Sequence, residues 1–208
     1  GNAEDYLREL RNNRLLGRDA IGRNAYRSYI DLILRAGTTH TRFIQELLQN
    51  ADDCEYADDA IPEFKLSQSK DKIFTEYNEL GFTRGNIRSI TAIGESTKNH
   101  LLRQNAAKIG EKGVGFKTIF AIASKVVIHS GEYHFALADK APTIPELLQG
   151  QSLSVSGTQM VITIKDGAQL IKYKEQDILE LCLCLRKLRK ITINGTSVTI
   201  EDSDNSRI

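Results

Sequence analysis

Residues 41–53 read Thr-Arg-Phe-Ile-Gln-Glu-Leu-Leu-Gln-Asn-Ala-Asp-Asp, and they predict a helix with two chemically different faces. At about 100° per residue, the apolar side chains fall on one side, where they would pack against a sheet: Ile44, Leu47, Leu48 and Ala51. Glu46, Asn50 and Asp53 fall within an arc of about 60° on the opposite side. Two carboxylates and an amide oxygen would therefore face the same space.

This polar face carries the oxygen groups that suit Mg²⁺, which is usually held by one or two protein ligands together with waters and phosphates. A carboxylate one helical turn away would orient or deprotonate an attacking water. The alternative is a solvated helix face, which the acidic residues that follow would suit: Asp52, Glu55, Asp58 and Asp59. The segment alone leaves both interpretations open.

Residues 109–117 read Ile-Gly-Glu-Lys-Gly-Val-Gly-Phe-Lys and place three glycines before an apolar segment. Glycine permits positive φ and close backbone approach, and the N–H groups at a helix start can hold phosphate oxygens. Lys112 or Lys117 would add positive charge there. The spacing Gly-x-x-Gly-x-Gly differs from a Walker A loop, which ends Gly-Lys-Ser/Thr, and from the dinucleotide-binding fingerprint. A flexible turn is the alternative for this cluster alone.

The rest of the chain predicts a mixed succession of helices and strands, with the two-faced helix running to about Tyr56. Further helices are expected at 3–15, 23–36 and Gln176–Arg189, and Thr83 would cap a short helix that carries Ile87, Ile90 and Ile93. Strands are expected at Glu63–Gln68, Lys72–Tyr77, Lys125–His129, Tyr133–Leu137 and Gln159–Lys165. The segment 113–123 would be a turn leading into a helix, and Asn194-Gly195 predicts a hairpin over Ile191–Ile200.

This order lacks regular βαβ alternation, so it favours an α+β two-layer sandwich with a mixed, mostly antiparallel sheet. Residues 94–112 are polar and show no periodicity, and we expect a loop or a mobile lid there. The length of 208 residues fits one large domain, or one domain with an appendage. Because the chain starts at Gly1 without a methionine, we expect it to be part of a longer protein.

The overall composition argues against some classes of partner and favours one kind of location. A formal net charge of +1 gives no basic field, so nucleic acid is not indicated. No apolar run approaches the roughly 20 residues that span a bilayer, so no membrane association is expected. Three cysteines are too few for a disulfide framework, which favours an intracellular location in the cytoplasm or nucleus.

The histidines and cysteines do not predict a metal site. The four histidines lack a ligand spacing and are interpreted as structural: His40, His100, His129 and His134. Cys182 and Cys184 have no second pair to complete a zinc site, so we expect both to pack in the core.

Taken in order over roughly residues 39–165, these segments resemble the four sequence boxes of the GHKL ATPases (gyrase, chaperone, histidine kinase and MutL). The two-faced helix looks like the first box, which implies that Glu46 is the general base, Asn50 the Mg²⁺ ligand and Asp53 part of the nucleotide pocket. The glycine cluster looks like a later box, which implies phosphate binding by several residues: Gly110, Gly113, Val114, Gly115, Phe116 and Lys117.

The adenine end of the resemblance rests on two further boxes. Glu79 and Gly81 stand where the family has Asp-x-Gly, whose acid accepts the adenine amino group. Thr158 follows Gly157 at the start of a strand, and its counterpart helps to hold adenine through water. This chain has Glu where the acid is usually Asp, and Phe82-Thr83 replaces the second glycine of that box.

Finer detail resembles the sacsin and plant No Vein-type branch of that family: residues 49–53, the segment Gly94-Glu-Ser-Thr-Lys98, and residues 108–118. The resemblance implies Mg²⁺-dependent ATP binding and slow hydrolysis, with Ser96, Thr97 and Lys98 in a lid that reaches the phosphates. Closure of the lid would act on domains outside the fragment or on a homodimer. The division that follows is helices at 1–38, the ATP-binding domain at 39–170, and a helix and hairpin at 171–208 that complete it or begin the next domain.

Three alternatives remain at this stage. A histidine-kinase catalytic domain shares the expected fold, but its counterpart of Glu46 is typically Asn, so Glu46 favours hydrolysis. A non-catalytic nucleotide-binding or scaffold module would use the same fold without turnover. A role linked to nucleic acid is the third alternative, and the near-neutral charge does not favour it.

Overall fold

The computed structural model describes residues 1–36, 39–92, 114–150, 153–165 and 172–201, which hold six α-helices and one eight-stranded sheet. The helices are α1 (Ala3–Ile21), α2 (Arg23–Ala36), α3 (His40–Asp52), α4 (Arg84–Thr91), α5 (Val114–Lys117) and α6 (Glu175–Leu181). The strands are β1 (Glu63–Ser69), β2 (Lys72–Tyr77), β3 (Ala123–Ser130), β4 (Tyr133–Ala138), β5 (Ala141–Leu147), β6 (Thr158–Ile164), β7 (Lys190–Ile193) and β8 (Thr196–Thr199). A 3-10 turn (Thr118–Ala121) follows α5.

The sheet runs in the order β5-β4-β3-β6-β2-β1-β7-β8, and only the β1–β7 pairing among these neighbours is parallel. One face of the sheet shares a core with the helices, because alternate strand residues such as Phe64, Leu66 and Ile73 are buried. The residues between them, Lys65 and Phe74 among them, are exposed on the other face. The predicted α+β class and the mixed, mostly antiparallel sheet are confirmed.

Local sequence signals explain where the first helices begin and end. Asn2 caps α1 by accepting a hydrogen bond from the backbone of Asp5, and Gly22 ends the helix with a φ of 89°. The sequence predicted an end at residue 15, because the last turns of α1 lack the apolar periodicity that Leu7 and Leu10 supply earlier. Thr39 caps α3 in the same way as Asn2 caps α1. Helix α3 ends at Asp52, before the predicted Tyr56.

The predicted helix over Gln176–Arg189 is wrong in its second half, since α6 ends at Leu181. The buried carboxylate of Asp52 accepts the backbone N–H groups of Arg186, Lys187 and Leu188 at 2.8–2.9 Å, which removes them from helical hydrogen bonding. Leu188 is buried by this turn rather than by a helical stripe.

The early end of α6 also corrects a prediction about the cysteines. Cys182 is buried as expected, but Cys184 is exposed, because it lies in the turn after α6 and not on a helix that faces the core.

Strand β5 was not predicted, because Pro142 and Pro145 interrupt its sequence. Proline cannot donate a ladder hydrogen bond, but an edge strand tolerates it, and β5 is the first strand of the sheet order. The strand pairs with β4 and packs against α1, whose Arg11 donates a hydrogen bond to the carbonyl of Pro145 at 3.0 Å.

The hairpin at the other edge is confirmed. Asn194 and Gly195 have φ angles of 48° and 84°, as a tight two-residue turn of this type requires, and they join β7 to β8. Because β7 pairs with β1 in parallel, the hairpin extends the same sheet. The segment after Ala92, including Ile93 and the expected lid at 94–112, lies outside the described residues.

Candidate functional site

Helix α3 has the two faces that its sequence predicts. Ile44, Leu47 and Leu48 are almost completely buried against the sheet. Glu46 and Asn50 are partly buried and lie outside this apolar stripe. The apolar residues therefore pack α3 against the core, and its polar side chains lie on the side of the helix that is not buried.

Asn50 is oriented by a tyrosine on the adjacent strand. Its Nδ2 donates a hydrogen bond of 2.9 Å to the hydroxyl of Tyr77, which is buried at the end of β2. The carboxamide oxygen of Asn50 stands on the other side of the amide group and makes no hydrogen bond to the described residues. Asn50 thus has one atom bound to the core and one that is open to a ligand.

Glu46 meets the glycine cluster. A Cβ on Gly115, at the start of the α5 segment, would lie 2.5 Å from Oε2 of Glu46, so a larger residue there would displace the carboxylate. Burial raises the pKa of Glu46, the positive charge of Arg42 opposes the shift, and the negative charge of Asp53 adds to it. Two segments far apart in sequence, α3 and α5, are brought into contact here.

Asp53 stands apart from this contact. It caps the end of α3, its side chain is exposed, and its carboxylate accepts a hydrogen bond of 3.0 Å from Nε2 of Gln49. Its charge acts on Glu46, but it shares no hydrogen bond with Glu46 or Asn50 among the described residues.

The side chains that follow Gly115 point inward. Phe116 is buried, and Lys117 is 0% exposed. Burial lowers the pKa of Lys117 to about 7, and the positive charge of Arg14 adds to this shift. The lysine side chain therefore lies in the interior, and the part of α5 that faces Glu46 is Gly115.

Glu79 anchors a second polar group, at the end of β2. It is 4% exposed, its Oε2 accepts the backbone N–H of Gly81 at 2.8 Å, and its Oε1 accepts the hydroxyl of Thr158. The hydroxyl of Ser130 lies 2.6 Å from that of Thr158 and accepts the backbone N–H of Phe82 at 2.7 Å. Since the proton of Thr158 points to Glu79, Ser130 must donate to Thr158, and every proton in this chain runs toward the carboxylate.

Burial raises the pKa of Glu79, and the hydrogen bonds from Thr158 and Gly81 partly offset this shift. The two bonds use two of the roughly four acceptor positions of a carboxylate, so others remain for a donor outside the network. The carboxylate is therefore oriented without being saturated.

Three tight turns support the Glu79 network. Gly81 has a φ of 95° and packs on the backbone of Gly131, and Gly157 has a φ of 70°. A Cβ on Gly157 would collide with the carbonyl oxygen of Tyr77. The backbone N–H of Gly131 donates to the carbonyl of Gly157 at 3.2 Å. Glycine is needed here because of both the positive φ and the close approach.

The segments that form these two groups lie within a region shared with a known family. The sequence pattern of the Sacsin domain matches residues 23–198, which run from α2 into β8. The chain belongs to the Sacsin domain family. Protein NO VEIN of Arabidopsis thaliana is 39% identical over 95 residues, and the match covers 46% of this chain and 3% of that protein. Sacsin of Homo sapiens is 30% identical over 107 residues, and the match covers 46% of this chain and 2% of that protein.

This Sacsin domain therefore spans a small part of the length of the relatives it matches. Among the described residues no helix is both long and apolar enough to cross a membrane. Within the same ranges, no cluster of three or more His, Cys, Asp and Glu side chains could hold a metal ion. The Nδ1 atoms of His129 and His134 lie 2.7 Å apart across β3 and β4, as a hydrogen-bonded pair.

Several predicted site residues lie outside the described part of the Sacsin domain: Ser96, Thr97, Lys98, Gly110 and Gly113. Val114 belongs to α5 by its backbone, and its side chain is not described. The described residues form two groups, Glu46 with Gly115 and Glu79 with Gly81 and Thr158, and Asn50 is joined to the second group through the strand of Tyr77.

Sequence reasoning missed three residues of this region, Tyr77, Ser130 and Asp52. Ser130 gave no signal, because a serine at the end of a strand before a glycine is ordinary. Asp52 was considered only as one of the acids that would suit a solvated helix face, yet its partners near Leu188 lie up to 136 residues away in the sequence. No local pattern could have identified that contact.

Proposed function

We propose that this Sacsin domain binds ATP with Mg²⁺ and hydrolyses it slowly, as the GHKL ATPases do. The observation that carries the proposal is the approach of Gly115 to the carboxylate of Glu46, where even a Cβ would lie only 2.5 Å from Oε2. This approach unites the polar face of α3 with the glycine-rich segment, which are the two parts that the resemblance assigns to metal and phosphates.

The residues at α3 fit a magnesium ion. Asn50 supplies a neutral oxygen whose amide nitrogen is already bound to Tyr77, and Mg²⁺ is commonly held by one such protein group together with waters and phosphates. When bound, the ion would neutralise charge on the phosphates. Asn50 would hold that ion, and the backbone near Gly115 would lie beside the phosphates.

Glu46 acts as the general base. Within the described residues no group donates a hydrogen bond to its carboxylate, which leaves both oxygens able to accept a proton from water. Burial raises its pKa, and a stronger base nearer to neutral pH is better suited to proton abstraction. Asp53 contributes through its charge at the rim of the pocket.

Glu79 binds the adenine amino group, with Gly81 and Thr158 beside it. The hydrogen bond from the backbone of Gly81 folds the side chain of Glu79 back on its own turn, and this accommodates the methylene that Glu has in addition to Asp. The proton chain through Thr158 supports the ionised form, which accepts a donor.

The lid at 94–112, with Ser96, Thr97 and Lys98, would close over the nucleotide and pass the change to further domains of a longer protein or to a homodimer. The length of the matched relatives supports further domains. An intracellular location, in cytoplasm or nucleus, accompanies the proposal, because all three cysteines are free.

The second candidate is a nucleotide-binding or scaffold module without turnover. The burial of Lys117 favours it, because this lysine was expected to add charge at the phosphates and instead lies in the interior. The two candidates differ in phosphate release and agree in nucleotide binding.

Substitution of Glu46 separates them. In Glu46→Ala, steady-state phosphate release from Mg·ATP should fall about 100-fold or more, while the affinity for Mg·ATP should stay within about threefold. Glu9→Ala, at an exposed acid on α1, is the matched control and should keep parent turnover. Equal turnover in Glu46→Ala and the parent would remove Glu46 from catalysis, and Mg·ATP binding without any release by the parent would support the scaffold candidate.

A further inference from the structure

We infer that Tyr77 is a positioning residue for the metal ligand: its hydroxyl holds the amide nitrogen of Asn50 so that the carboxamide oxygen faces the nucleotide pocket. The inference rests on the proposed function, because it names what makes Asn50 a competent magnesium ligand. Its basis is the 2.9 Å hydrogen bond from Nδ2 of Asn50 to Oη of Tyr77.

An asparagine ligand needs such a partner. Its carboxamide carries an oxygen acceptor on one side and an NH₂ donor on the other, and a half-turn of χ2 exchanges them. With NH₂ toward the pocket, the side chain would repel a cation. When the hydroxyl of Tyr77 accepts from the amide nitrogen, as it does here, the oxygen of Asn50 is left to meet the ion.

Tyr77 is well placed to be that acceptor because its side chain is packed on several sides. Its ring is buried, stacks on Phe64 with centroids 6.1 Å apart, and meets Phe82 at 6.5 Å. The strand that carries it is hydrogen-bonded on both sides, to β1 and β6.

The rest of Asn50 is fixed as well. Its backbone carbonyl accepts the thiol of Cys54 at 3.3 Å, next to the end of α3. Tyr77 stands two residues before Glu79 on the same chain segment. One strand end therefore positions the proposed metal ligand through a side chain and carries the proposed adenine acid directly.

Tyr77→Phe removes the acceptor and keeps the ring. We would measure by calorimetry the affinity of this chain for ATP with excess EDTA and with saturating Mg²⁺. The expected result is unchanged affinity in EDTA and a loss of about tenfold in the enhancement that Mg²⁺ produces, the size of one net hydrogen bond. Tyr56→Phe is the matched control, since Tyr56 donates to the carbonyl of Ala51 on the same helix and should leave the Mg²⁺ enhancement intact.

A double-mutant cycle excludes a merely structural effect. Asn50→Asp places an oxygen on both sides of the group, so a flip no longer matters, and Tyr77→Phe should then have little effect on the Mg²⁺ enhancement. An equal loss in both backgrounds would overturn the inference, as would an increased enhancement in Tyr77→Phe alone, which would mean that Tyr77 had held the oxygen inward. Absence of ATP binding by the parent would instead contradict the proposed function itself.

Discussion

Glu46 and Glu79 are both carboxylates whose pKa burial raises, but the protein surrounds them differently. Both oxygens of Glu79 accept hydrogen bonds from within the fold, from Gly81 and Thr158. Glu46 accepts none from the described residues, although a Cβ on Gly115 of α5 would lie only 2.5 Å from its Oε2. Glu79 is therefore part of a hydrogen-bonded network within the fold, whereas the carboxylate of Glu46 has no hydrogen-bond donor among the described residues.

Because of this difference, we expect substitutions near the two carboxylates to have different effects on stability and on ligand binding or turnover. Around Glu79, a substitution should weaken the fold and the pocket together, because the same hydrogen bonds serve both. Around Glu46, a substitution should change ligand chemistry and leave the fold intact. Substitutions on the two sides should therefore differ in kind, and those that test stability or turnover are compared with a matched residue elsewhere.

The largest effect is expected for Gly157→Ala, on the Glu79 side. The new Cβ would meet the carbonyl oxygen of Tyr77 at a φ of 70°, so the free energy of unfolding should fall by about 3 kcal/mol. Gly150→Ala has a similar φ of 75° with no atom within 4 Å, and it should cost only about 1 kcal/mol. Urea denaturation measures both, and equal losses would show that the close approach carries no energy.

Gly115→Ala, on the Glu46 side, should lower turnover without lowering stability. Alanine favours the helix by up to about 1 kcal/mol, but its Cβ would displace the carboxylate of Glu46, and phosphate release should fall about tenfold. Gly17→Ala in α1, with no atom within 4 Å, should gain similar stability and keep parent turnover. Parent turnover in Gly115→Ala would contradict the contact between α3 and α5.

Ser130→Ala tests how much the hydrogen bonds of the Glu79 network contribute to stability. It leaves the backbone N–H of Phe82 without its partner and removes the donor to Thr158, so stability should fall by about 2 kcal/mol. Ser124→Ala, on the same strand with a longer 3.4 Å bond, should cost less than about half as much. Equal losses in urea denaturation would mean that the proton chain toward Glu79 is not special.

The smallest effect is a shift in the pH dependence of turnover. A general base works in its ionised form, so turnover should fall as pH drops through the raised pKa of Glu46, above the ordinary value of about 4.3. Arg42→Gln removes a charge that lowers this pKa, and Asp53→Asn removes one that raises it. The acid limb of the kcat profile should move up in the first variant and down in the second, and shifts of the same sign would contradict the assignment.

The sequence predicts the two-faced helix well because its signal is local. Ile44 and Glu46 fall on different sides by helical period alone, and Asn194-Gly195 predicts a hairpin by turn chemistry. The errors occur where tertiary contacts decide. The helix predicted to Arg189 ends at Leu181, because Asp52 binds the backbone beyond it from far away in the chain.

The candidate site, like the fold, could be predicted from the sequence only in part. Its residue types follow from their spacing and from the resemblance to a family, but their partners do not. Ser130 and Tyr77 carry no motif. Strand register brings Ser130 opposite Thr158, and the packing of α3 brings Asn50 to Tyr77. The strand with Pro142 was missed because its place at the sheet edge is a property of the whole fold.

The most direct test of the account is a calorimetric titration of this chain with ATP in the presence of Mg²⁺, beside Asn50→Ala and the control Asn13→Ala at an exposed position of α1. The account predicts saturable binding at one site in the parent and in Asn13→Ala, with affinity at least about tenfold weaker in Asn50→Ala. Circular dichroism would verify that all three proteins are folded. Equal affinity in Asn50→Ala, or no binding by the folded parent, would contradict the claim that α3 holds Mg·ATP.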